Sequence, residues 1–271
     1  MKNSNLIRKK GAVAILWCSV FVTFLILAGC DANESPDIDD SSFIKDLEMA
    51  YSEQIDDKYV YPIKPGDAIW NSIEISERIE GLQIPEDLLT KISTAGLLET
   101  CLEYPYLLDI MFGNNLQHGF DNLLLQFNGF SELLNRPDLV NILIGKYSGL
   151  INDVEDVQLL TDIGQGMFSF RHLVLEMIIA QDVIINNLSK KQEKSLFLLS
   201  IEHSKIKKNY PNIFSGVNNV PTALLYAKEI TKENRVAENM KGKLNELIKA
   251  PIFVEQDVMR YLEDYISAKF K

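Results

Sequence analysis

From Ser42 to the C-terminus, large apolar residues return every three or four positions, and prolines and glycines cut the pattern into short lengths. Such a period places one face of each segment against a core as a helix and leaves no face for a sheet. Phe43, Ile44, Leu47, Tyr51 and Ile55 fall at this spacing behind a serine cap. Tyr61-Pro62-Ile63-Lys64-Pro65-Gly66 is a connector, because two prolines and a glycine do not continue a helix. Asp67 is expected to cap the next helix, carrying Trp70, Ile73 and Ile79 and stopping near Gly81. Pro85 suits the first turn of a short helix through Ile92. Ser93-Thr94 then opens a helix with Leu97, Leu98, Cys101 and Leu102 facing inward, ending before Pro105.

Further apolar stretches follow at 107–112, 116–127, 130–134 and 139–150. Gly164 and Gly166 are expected to interrupt the chain before its longest downstream apolar stretch, 167–185. Ser189 and Gln192 have the spacing of a capping box, which starts a helix running to about Lys208. Residues 209–220, with Pro211 and Gly216, form the longest loop candidate, and Pro221 starts another helix. After Pro251, Val254, Val258, Tyr261, Leu262, Tyr265 and Ile266 form an amphipathic stripe. No segment combines sustained alternation with hairpin turns, so the fold class is all-α. Two architectures fit: an irregular multi-helix bundle or a stacked-helix, HEAT-like array. Tyr61-Pro62 and Tyr104-Pro105 lie 43 residues apart, near the period of such arrays, but Tyr210-Pro211 follows after 106.

The first forty residues follow different rules. Lys2, Arg8, Lys9 and Lys10 precede an apolar run over 12–28 that only Ser19 and Thr23 interrupt. A basic head, an apolar middle and small residues at the end make a secretory signal peptide. Leu27-Ala28-Gly29-Cys30 resembles the lipobox of bacterial lipoproteins. The resemblance implies cleavage before Cys30 and a diacylglyceryl group on its thiol, with acylation, such as by palmitate, at the new amino group. It divides the chain into a signal peptide 1–29, the acylated cysteine and an acidic flexible tether 30–41, and a helical domain 42–271. An uncleaved membrane helix is the competing reading, since residues 11–29 would reach about 28 Å as a helix. In both readings the remainder faces away from the cytoplasm.

Removing residues 1–29 takes away four bases and no acid, leaving 38 acidic against 23 basic residues, a formal charge of −15. That argues against nucleic acid, whose phosphates need clustered Lys and Arg. It equally argues against a charge-based grip on anionic lipid, so acyl chains on Cys30 are the expected contact with the bilayer. Cys18 lies in the signal and Cys30 is lipidated, which leaves Cys101 without a partner for an intramolecular disulfide.

Ser93–Pro105 also resembles a segment of uncharacterised lipoproteins from gut-type Gram-negative bacteria, and Asn114–Phe120 and Phe127-Asn128-Gly129 fit the same likeness. It implies an address in the cell envelope, with the outer membrane favoured, and a helical fold, but no chemistry. His172 and Glu176, four apart on one helix face, are the best fragment of a metal site, and they sit among residues of core type. Arg171 and Asp182 project to a similar side, so a self-satisfied polar cluster is the expected outcome. No catalytic residue and no cofactor is assigned. Cys101 lies on an apolar face, where a thiol is usually inert. Tyr59, Tyr61, Trp70, Tyr104, Tyr106, Tyr210 and Phe214 are weighed as a glycan or peptide platform against simple packing at helix ends, and packing is preferred. The expected function is a lipid-anchored binding or scaffold module for an envelope protein or glycan. An envelope hydrolase with a carboxylate or His–Glu centre, or a structural spacer, are the alternatives.

Overall fold

The computed structural model describes residues 40–233 and 236–270, so Leu27, Ala28, Gly29, Cys30 and most of the tether lie outside the described residues. The described residues are helical, without a strand, and belong to one compact unit. None of their helices is long and apolar enough to cross a membrane.

Thirteen α-helices occur among the described residues. The first, α1 (Asp40–Ser52), leads into a connector that contains one 3₁₀ turn, Ile55–Asp57, and runs to Glu74. Then come α2 (Ile75–Gly81), α3 (Glu86–Leu89) and α4 (Thr94–Leu102), followed by a 3₁₀ segment at Leu107–Phe112. The middle of the chain holds α5 (Leu116–Gln126), α6 (Asn128–Leu134), α7 (Leu139–Val157), α8 (Asp162–Ile179) and α9 (Asp182–Ile185). Last are α10 (Lys190–Asn209), α11 (Asn219–Thr231), α12 (Glu238–Lys249) and α13 (Gln256–Phe270).

Side-chain caps set several of the boundaries. Ser93 Oγ accepts from the Gly96 N–H at 2.9 Å at the start of α4, and Ser189 forms a capping box with Gln192 at the start of α10. Asp67 behaves otherwise than expected. Its carboxylate accepts from the Lys64 N–H at 2.7 Å and closes a turn, so the connector continues and α2 begins only after Glu74, in a capping box with Glu77. Gly164 and Gly166 do not break the chain either. Thr161 Oγ1 caps the Gly164 N–H at 3.3 Å, and both glycines lie in the opening turns of α8. The apolar stretch 167–185 instead breaks at Ala180-Gln181.

The packing order is that of an irregular bundle, because helices distant in sequence meet directly. α1 lies on α7, α7 on both α8 and α10, and α13 on both α10 and α11. A repeat array would restrict contacts to consecutive units. One continuous core runs from Tyr51 to Phe270, with Leu97, Phe120, Phe130, Leu143, Leu175, Phe197 and Leu224 buried in it. α1 approaches α7 so closely at Gly145 that a Cβ there would stand 2.3 Å from the Leu47 carbonyl oxygen.

Candidate functional site

The buried polar centre is built from four helices. α8 contributes His172 and Glu176, α10 His203 and Lys207, α7 Tyr147, and α11 Thr222. The expected polar cluster forms, but not with the residues first placed beside it. Asp182 pairs with Lys228 at 2.7 Å, and Arg171 stays exposed.

The hydrogen bonds fix the protons. The Tyr147 carbonyl only accepts, so His203 Nε2–H donates to it at 2.7 Å and His203 Nδ1 carries a lone pair. His172 Nε2–H therefore donates to that nitrogen at 2.9 Å. His172 Nδ1, the remaining lone pair, is buried without a hydrogen-bond partner and stands 3.8 Å from Glu176 Oε1. Both imidazoles are neutral. Burial pushes each well below the usual histidine range, with Lys207 adding to the effect on His172 and the neighbouring His172 to that on His203. His203 stacks on Tyr147 with ring centroids 3.8 Å apart.

Glu176 is saturated. Oε1 accepts from Tyr147 Oη at 2.7 Å, while Oε2 accepts from Thr222 Oγ1 at 3.0 Å and from Lys207 Nζ. Lys207 places its other two protons on the Asn218 carbonyl and on Thr222 Oγ1, each at 2.7 Å. Burial pushes the Lys207 ammonium down, against the pull of Glu176. A metal at the His172–Glu176 pair would have to displace these partners. Among the described residues no group of three or more His, Cys, Asp or Glu is placed to hold a metal ion. His118, the third histidine, is elsewhere, and its Nδ1 accepts from the Asn114 N–H at 3.1 Å. Cys101 is fully buried and burial pushes its thiol up, the setting of an inert cysteine.

The aromatic residues weighed as a platform largely face each other. Tyr104 stacks on Phe127 with centroids 4.4 Å apart, Tyr61 packs on both, and Trp70 packs on Tyr106 at 5.3 Å. Tyr210 and Phe214 border a small second core with Val154, Val157 and Ile213. This is mostly packing at helix ends.

Two adjoining cavities open on the outer side of α8. One, of about 490 Å³, lies between the connector after α1, the end of α4 and α8. Its wall carries Lys58, Lys64 and Arg171 against one acid, Glu103, which Lys58 neutralises at 2.8 Å. Among the described residues neither Lys64 nor Arg171 has an ion pair. The Tyr104 side chain on this wall is buried, and its hydroxyl has no hydrogen-bond partner. Burial first, then Asp109, pushes that phenol up, so it remains a proton donor. The second cavity, of about 400 Å³, shares Leu102, Met167 and Arg171 with the first and has His172 on its wall. Its charges are largely balanced internally, because Lys146 pairs with Glu99 at 2.9 Å and Tyr51 also donates to Glu99.

The fold and this site define an all-α bundle with a buried polar centre and an open cavity of net positive charge. Set against known protein families, curated proteins and solved structures, the chain matches none of them.

Proposed function

We propose that this protein is a lipid-anchored binding module of the bacterial cell envelope, held at the bilayer by acyl chains on Cys30, with the outer membrane as its favoured address. The Leu27-Ala28-Gly29-Cys30 motif behind a basic, apolar leader carries the reading. The acidic body supports it, since a formal charge of −15 after residue 29 repels anionic headgroups and leaves attachment to the acyl chains. Binding rather than hydrolysis is favoured by one contrast: every oxygen of Glu176 is occupied by buried partners, whereas the cavity beside Arg171 carries two cations without ion pairs. Metabolic labelling with an alkyne palmitate analogue tests the anchor. The wild-type chain should take up label and run as the shorter mature form. Cys30→Ala should lose the label and accumulate the precursor, and equal labelling of both would overturn the reading.

A further inference from the structure

The cavities differ in how their charges are settled. In another surface cavity, of about 420 Å³, Lys243 is held by Glu255 and Asp257, and the two lysines of the wall, Lys243 and Lys249, are matched by two acids, Glu246 and Glu255. In a smaller one on α10 and α13, of about 180 Å³, Lys208 is held by Glu263 at 2.5 Å, and Lys205 and Asp264 complete a wall with two bases and two acids. The 490 Å³ cavity departs from this pattern in a chain where acids outnumber bases 38 to 27. Its single acid is already paired, and neither Arg171 nor Lys64 has an ion pair among the described residues. The rest of the wall is apolar, from Leu102, Leu107, Met167 and Phe170.

We infer that this cavity binds a small organic anion, a carboxylate joined to an apolar body, with Arg171 and Lys64 on the headgroup. A planar guanidinium matches one carboxylate in a two-bond fork, and the Lys64 ammonium adds a second positive charge. The volume lies in the range that encloses small ligands, and the apolar wall shelters the body of the molecule. A cation would meet two unpaired positive charges, and a plain hydrocarbon would leave both without a counter-charge. The inference deepens the binding-module reading and rests on it for the direction of search.

The test is isothermal titration of the full chain, in non-ionic detergent, with octanoate and with octyltrimethylammonium. One equivalent of octanoate should bind and the cationic probe should not. Arg171→Gln and Lys64→Gln should each weaken octanoate about tenfold or more, the loss expected for a hydrogen-bonded charge. Arg260→Gln, at an exposed cation on α13, should leave it unchanged. No heat with octanoate, equal binding of both probes, or undiminished binding by Arg171→Gln and Lys64→Gln would overturn the inference. Acyl labelling separates the two failures: a labelled protein that ignores octanoate loses the cavity and keeps the anchor, and an unlabelled one that binds octanoate does the reverse.

Discussion

Arg171 and His172 are neighbours on α8 and have opposite situations. His172 turns inward to a network in which its donor is taken by His203 and the adjacent Glu176 is taken by Tyr147, Thr222 and Lys207. Arg171 turns outward to two adjoining cavities and has no ion pair among the described residues. Both are polar residues in a helix of core type, and composition alone would rank the histidine as the functional one. What separates them is where the unmet capacity lies: His172 keeps one unpaired acceptor, Nδ1, buried 3.8 Å from Glu176, and the exposed Arg171 faces the cavities. A group whose partners are all supplied by its own fold holds the fold, and a group left with donors toward a cavity can hold something else.

The largest effect should come from breaking the inward side. Lys207→Met removes the counter-charge of a buried carboxylate, and denaturant unfolding followed by circular dichroism should show a loss of about 3–5 kcal/mol. Less than about 1 kcal/mol would mean that the Lys207–Glu176 pair contributes no more than a surface pair.

Acid should act on the same side. Both imidazoles are held neutral by burial, so their folded-state pKa lies below the unfolded value near 6.5. Their contribution is therefore fully present above pH 6.5 and is lost as pH falls below it, because the unfolded chain then binds protons that the folded one excludes. Each histidine adds a slope of up to about 1.4 kcal/mol per pH unit in that window. His203→Gln can still donate to the Tyr147 carbonyl and accept from His172, and it should reduce the slope in thermal melts between pH 7 and 5. An unchanged slope would place the acid sensitivity elsewhere.

Gly145→Ala should come next, at about 1–3 kcal/mol, because the new Cβ meets the Leu47 carbonyl oxygen and α1 must shift away from α7. Thermal melts would show it, and a neutral outcome would mean that α1 docks more loosely than this contact implies. Arg171→Gln should be smallest for stability, within about 0.5 kcal/mol, since the residue is exposed and unpaired. A large loss would give Arg171 a structural role that its exposed, unpaired side chain does not explain.

The sequence carried the helices well and the site only in part. Ser93 and Ser189 announce their helices because a cap is a local bond between residues three apart. Asp67 misleads for the same reason, since an aspartate that closes a turn looks, in sequence, like one that opens a helix. Gly164 and Gly166 suggest an interruption, but the Thr161 cap starts α8 ahead of both, and a Cβ at Gly164 would stand 2.9 Å from the Leu160 side chain, so glycine there answers crowding rather than a break. The His172–Glu176 pair is visible as an i,i+4 spacing, and His203–Lys207 repeats that spacing on α10, a signal that could have joined the two pairs. Tyr147 gives no such sign, because its backbone carbonyl as well as its hydroxyl completes the network. The cationic cavity was least legible. Its wall comes from the connector, α4 and α8, and no local pattern reveals that Lys64 and Arg171 share a space.

The separation of an inward holding side from an outward binding side is tested most directly by the double variant Glu176→Leu/Lys207→Met. Removing both charges together avoids an unpaired ion in the core, so the chain should fold more stably than Lys207→Met alone. Titrated with octanoate, the folded double variant should bind within about twofold of wild type, less than 0.5 kcal/mol. A folded double variant that has lost octanoate binding would contradict the account, because the buried centre would then belong to the site.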